Sequence, residues 1–192
     1  MTSGTIKRIG AFTGIFALAV GSLMIASCRH QSLTLRDQAE RLRTPYFPKI
    51  TAENLNKEKV TLPDDYNGNP LLVLIAYKQK QQLNVNTWLD RMDEIESTIP
   101  GVQIIETPTI SSGKWGWMAG FIDGGMRSGI PSTEARGRTI TLYTDVSLFN
   151  QALNIESVDT IYAVLLDEEG EVIEMIEGDF TLDKLQLLEA NP

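Results

Sequence analysis

The chain has 192 residues, 42% of them hydrophobic and 22% charged, with a formal net charge of −8. That length supports one sizeable core, and the composition is globular rather than disordered or fibrous. A single cysteine, Cys28, leaves no material for a disulfide framework, and a single histidine, His30, two residues further on in a linker, argues against a histidine-based metal site or a Ser-His triad.

The chain opens with Lys7 and Arg8, continues through an apolar run from Ile9 to Ala26, and reaches Ile25-Ala26-Ser27-Cys28. This pattern resembles a bacterial lipoprotein signal peptide, in which small residues precede a cysteine that becomes the lipidated first residue of the mature chain. Several acyl chains at one site are enough for stable anchoring. A plain transmembrane anchor is the alternative, since spanning needs about 20 apolar residues. The lone cysteine sits where lipidation requires it, and this favours the lipoprotein reading. Lipidation of Cys28 removes the last free thiol and with it any thiol chemistry. Arg29 rather than aspartate follows the cysteine, which leans towards the outer membrane. Removing Lys7 and Arg8 leaves 15 basic against 25 acidic residues, and Glu156 to Pro192 holds 11 acids and one lysine. A neutral body with an acidic C-terminal third argues against nucleic acid, and against an anionic membrane at that end.

In chain order, Gln31 to Thr44 reads as a polar tether with some helix, ended by Pro45-Tyr46-Phe47-Pro48. Thr51 to Leu62 reads as a short hairpin or loop. Leu71 to Tyr77 (LLVLIAY) is a strand covered on both faces. Asn86 to Thr98 follows helical spacing through Trp88, Leu89, Met92, Ile95 and Ile99. Val102 to Ile110 is a second strand, a helix is expected from about Trp115 to Arg127, and Arg138 to Tyr143 is a third strand. Val146 to Leu153 is a short helix capped by Asp145. Thr160 to Leu166 and Glu171 to Ile176 form a hairpin around Asp167-Glu168-Glu169-Gly170. A last helix starts at Thr181, with Leu182, Leu185, Leu187 and Leu188 available to pack. The alternation predicts an α/β fold with a central mixed sheet of about five strands flanked by helices.

This order, with TIYAVLLDEEGEVIEMIEG near the end, resembles the thioredoxin-like superfamily over about Phe47 to Leu188, peroxiredoxins and tethered reductases included. In that superfamily the redox cysteines sit just after the first core strand, at a helix start. Here the stretch is Lys78-Gln79-Lys80-Gln81-Gln82-Leu83-Asn84, and a proline before the fourth strand is replaced by Thr160 and Ile161. The fold is implied; its thiol activity is not. Trp88, Met126-Arg127, Ile130-Pro131, Phe149, Leu153 and the terminal hairpin resemble the mitochondrial ATP synthase assembly-factor family whose yeast founder is numbered ten. That family has a thioredoxin-like body without the redox pair, so the resemblance implies a membrane-adjacent assembly role.

The stretch SSGKWGWMAGFIDGGMRSGIP (111–131) is too short to span a bilayer and contains Asp123. On a helix, Trp117, Met118, Phe121, Ile122 and Met126 form one apolar face, with Gly116, Gly120 and Gly124 beside it. The expectation is an amphipathic helix covering the sheet, its glycines against a neighbouring strand. The functional alternative is a partner-binding surface of Trp117, Phe121 and Met126, with Arg127, Arg136 and Arg138 as a clamp for a carboxylate. At least one of these arginines is otherwise expected to pair with the acidic C-terminal third. Glu168-Glu169 and Asp64-Asp65 are turn and loop pairs without acid/base or metal geometry.

The expected organisation is a signal peptide over 1–27, a tether over 28–46 and a thioredoxin-like domain over 47–192. The expected function is that of a lipid-anchored, redox-inactive binder of another protein in the bacterial cell envelope, facing the periplasm. No cofactor, metal or catalytic residue is expected. The alternatives are a reductase-like or peroxidase-like enzyme using a non-cysteine group, or a small-ligand carrier using the region of Gln81 and Arg127.

Overall fold

The computed structural model describes residues 45–189. The signal segment, Cys28, His30 and the helical reading of Gln31–Thr44 lie outside the described residues. Leu71 to Ile75 are all buried, so the strand they form has neighbours on both faces, as a continuous apolar run requires. This strand, β3 (Leu71–Ala76), is the centre of a five-stranded sheet of order β5-β4-β3-β6-β7. The others are β4 (Gln103–Ser111), β5 (Leu142–Thr144), β6 (Tyr162–Leu166) and β7 (Val172–Glu177). β3, β4 and β5 run parallel, whereas β6 and β7 are antiparallel additions on the other side of β3. β1 (Ile50–Glu53) and β2 (Lys59–Leu62) form a separate antiparallel hairpin.

Two cores follow from the alternation of side chains along the strands. Val73, Ile105, Leu142 and Val164 face the hairpin and Phe149. Leu72, Leu74, Ile104 and Leu165 face Val85, Trp88, Ile95, Leu185 and Leu188. The latter belong to α1 (Gln82–Leu89), α2 (Met92–Thr98) and a C-terminal helix over Leu182–Glu189. The single helix expected over Asn86–Thr98 is thus two, and α1 starts earlier. Val85, Trp88, Met92, Ile95 and Ile99 keep alternating spacings of three and four through the break at Asp90–Arg91, so periodicity alone reads one helix.

After β4 come α3 (Ser112–Trp115), a 3-10 turn over Gly116–Met118 and α4 (Ala119–Gly129). Arg138 does not begin the third strand: it ends α5 (Thr133–Arg138). The signals were present, with Ser132 Oγ accepting from Ala135 N at 3.3 Å, Glu134 in the first turn and arginines in the last. α6 (Val146–Ala152) is capped as expected, Asp145 accepting from Ser147 N and Leu148 N. In the last helix, α7 (Leu182–Glu189), Leu185 and Leu188 are buried while Leu182 and Leu187 are exposed, so its four leucines do not share one face. Pro45 and Tyr46, read as tether, pair with the domain: Val172 N donates to Pro45 O at 2.9 Å and Tyr46 bridges Glu171.

Candidate functional site

The β3–α1 turn is where the thioredoxin-like resemblance places a thiol. Gln81 stands there, at the N-cap of α1 and only 2% exposed. Its Oε1 accepts from Tyr77 N at 2.7 Å and Lys78 N at 3.0 Å. Its Nε2 donates to Val158 O at 3.0 Å and Thr160 O at 3.2 Å. A primary amide has two acceptor sites and two N–H groups, so all four are used. Gln81 staples the turn to the segment that enters β6, and nothing of its amide remains for a ligand. Lys78 pairs with Asp159 across the same junction and holds that carboxyl below the ordinary aspartate range through their hydrogen bond. Asn84 bonds Asp179 at 2.6 Å, and Trp88 Nε1 donates to Gly178 O at 2.9 Å. The polar side chains around this turn hold structure.

A second feature is one that sequence reasoning missed. Glu106, 5% exposed on β4 beside Leu74, accepts from Gln82 Nε2 at 3.1 Å and Thr139 Oγ1 at 2.5 Å. The detectable signal was a carboxylate inside the apolar strand sequence QIIETPTIS. Among the described residues no three of His, Cys, Asp and Glu come close enough to hold a metal ion.

The third feature is the segment Ser112–Gly129. No residue of α4 is buried. The apolar face expected there is split: Met118, Ile122 and Met126 are half-buried, whereas Trp117 is 83% and Phe121 77% exposed. A Cβ built on Gly120, Gly124, Gly125 or Gly129 meets nothing within 4 Å, so the glycines do not pack on a strand, contrary to the expectation. The segment is fastened from the other side, where Tyr143 OH lies 3.1 Å from Ala119 O and 3.0 Å from Asp123 Oδ1. Burial, with the neighbouring Asp123, pushes the Tyr143 hydroxyl well above the ordinary tyrosine range.

Of the three arginines, Arg136 is committed to structure, its Nε donating to Ile130 O at 2.6 Å and its Nη2 to Pro131 O at 3.2 Å. Arg127 and Arg138 each have an Nε shielded from water and bonded to nothing among the described residues. The expected pairing of an arginine with the acidic C-terminal third does not occur among these residues, where the ion pairs are Lys49–Asp64, Lys78–Asp159 and Arg91–Glu94. The acids of the C-terminal third lie on β7, α7 and the loops flanking β6 and β7, whereas the arginines follow β4 on the other side of β3.

The parallel β3-β4-β5 half, the antiparallel β6-β7 half and helices on both faces define a thioredoxin-like protein. Solved structures agree on the fold. BsSco, a member of the Sco family of cytochrome c oxidase assembly proteins, is 10% identical over 78% of this chain and 94% of its own, with a TM-score of 0.51. The pneumococcal exposed lipoprotein thioredoxin Etrx1 of Streptococcus pneumoniae strain TIGR4 is 17% identical over 74% of this chain and 99% of its own, with a TM-score of 0.50. A candidate electron transfer protein of Aquifex aeolicus VF5 is 14% identical over 77% and 94%, with a TM-score of 0.54. At such identities the likeness concerns the fold alone. Within this class the chain belongs to the ATP10 protein family, whose model matches residues 40–173. No curated protein matches significantly.

Proposed function

We propose that this chain is a redox-inactive, lipid-anchored member of its family that binds a protein client and assists assembly of a membrane complex in the bacterial cell envelope. The observation that carries this reading is Gln81. In the turn where a thioredoxin-like enzyme presents a thiol, this chain places a buried amide with all four hydrogen-bonding sites engaged. Family membership supports the assembly role, and BsSco supplies a parallel in which this fold belongs to an assembly-protein family. Cys28 is the lipid attachment point, with the domain on the periplasmic side and the outer membrane as the favoured address. The α3–α4 face with Trp117, Phe121, Met126, Arg127 and Arg138 is turned towards the membrane in which the client sits, and Arg136 holds its connection to α5.

Crosslinking in intact membranes followed by capture of the full chain tests the reading, with recovery of a specific membrane-complex subunit expected. Recovery of only abundant bystanders counts against it, and so does peroxide or disulfide turnover by the purified chain. Metabolic labelling with a fatty acid that is lost in Cys28→Ser tests the anchor separately.

A further inference from the structure

Trp117, in the 3-10 turn, and Phe121, in α4, are 83% and 77% exposed, and Trp115 at the end of α3 is 42% exposed. Among the described residues none covers the Trp117 and Phe121 rings. Lys114 sits over the Trp115 ring, its Nζ 5.6 Å from the centroid. Between Ser112 and Arg138 there are four basic and two acidic residues. One of the acids, Asp123, is tied to Tyr143. Arg127 and Arg138 are half-buried, and no ion pair among the described residues neutralises either guanidinium. This edge of the protein is therefore aromatic and basic, while the residues from Glu156 onward carry 11 acids and one lysine.

Resting on the anchored reading above, we propose that the Ser112–Gly129 segment seats in the headgroup layer of an anionic bilayer. Trp117 and Phe121 enter the interface, where aromatic rings are favoured, and Lys114, Arg127 and Arg138 meet lipid phosphates. Charge complementarity selects this face, since the acidic third is repelled by the same surface. The tether permits it: the 17 residue steps from Cys28 to Pro45 reach at most about 60 Å, at ~3.5 Å per residue. The five-stranded sheet is only about 20 Å wide, from a strand spacing of ~4.8 Å. Open space beside Gly120 and Gly124 lets lipid close around the two rings.

The experiment uses the full chain in phosphatidylcholine vesicles with and without phosphatidylglycerol, some of the lipid brominated near the headgroup. Trp88, fully buried, is the internal background. The expected result is bromolipid quenching of tryptophan emission that needs phosphatidylglycerol, weakens with salt, and is lost in Trp115→Phe/Trp117→Phe. Phe121→Glu, an exposed substitution that leaves the core intact, removes the bromolipid quenching of Trp115 and Trp117. Continued accessibility to aqueous acrylamide without bromolipid quenching overturns the proposal. Photo-crosslinks from position 121 that map to an apolar protein segment instead of lipid also overturn it. Client capture that survives alongside absent quenching refutes bilayer docking and leaves the assembly reading standing. Quenching without client capture does the reverse.

Discussion

Replacing Gln81 with alanine removes four hydrogen bonds at once. Two backbone N–H groups, of Tyr77 and Lys78, and two carbonyls, of Val158 and Thr160, lose their side-chain partner. A neutral hydrogen bond contributes about 0.5–1.5 kcal/mol net, so four amount to roughly 2–6 kcal/mol. Residues 77 and 78 are half-buried and regain some water, which brings the expected loss to about 2–4 kcal/mol. With a urea slope of about 2 kcal/mol/M, the unfolding midpoint falls by about 1–2 M. Gln81→Glu sharpens the test. The carboxylate keeps the acceptor role but turns negative oxygen towards two carbonyls inside the domain, so its folded-state pKa is raised. Its neutral form is then favoured in the fold, and the penalty is least below the unfolded glutamate value of about 4.3 and grows as pH rises through the folded value. Urea melts between acid and neutral pH measure both effects. A Gln81→Ala loss under about 1 kcal/mol, or a Gln81→Glu penalty that does not grow with pH, refutes the claim that this amide staples the turn.

Gly170 has φ +86°, and a Cβ there would lie 2.4 Å from Pro63 Cγ; Gly170→Ala is expected to cost about 2–4 kcal/mol in thermal melts, combining left-handed strain with a clash. Gly124→Ala points the other way: its Cβ meets nothing within 4 Å, so a gain of about 0.4–1 kcal/mol is expected, and a loss would mean that the helix packs more closely than described. Asp145→Ala strips the cap from Ser147 N and Leu148 N and should cost about 1 kcal/mol in urea unfolding. Lys78→Met should return the Asp159 carboxyl towards its ordinary 3.8 in an NMR titration. In the unmutated chain the stabilisation from this pair is present above that value and fades as pH falls.

Much of the architecture was legible because it rests on local chemistry. LLVLIA reads as a doubly covered strand from its unbroken apolar run, and Asp145 reads as a cap from its residue type and place. Asp167 to Gly170 reads as a turn because only glycine sits easily at the φ of +86° that position 170 adopts. α5 was also legible through Ser132, Glu134 and Arg136, but Thr139 to Tyr143 has strand character and drew the boundary forward. The helix break at Asp90–Arg91 left no trace, because the burial spacing is unchanged across it.

The candidate sites divide in the same way. A single cysteine in the N-terminal segment and none after the first core strand are facts of the sequence, and they remove thiol chemistry from the domain without any structure. What stands in its place came only from the fold. Gln81 finds its acceptors 77 and 79 residues away, at Val158 and Thr160, and Glu106 finds Thr139 33 residues on. No local pattern encodes such pairs, because they depend on which strands lie side by side. The same limit applied to Trp117 and Phe121. Their spacing placed them on one helical face, but periodicity reports only that a face exists. Whether a neighbour covers it is decided by packing, and here Tyr143 fastens the segment by its opposite side and leaves both rings to the solvent.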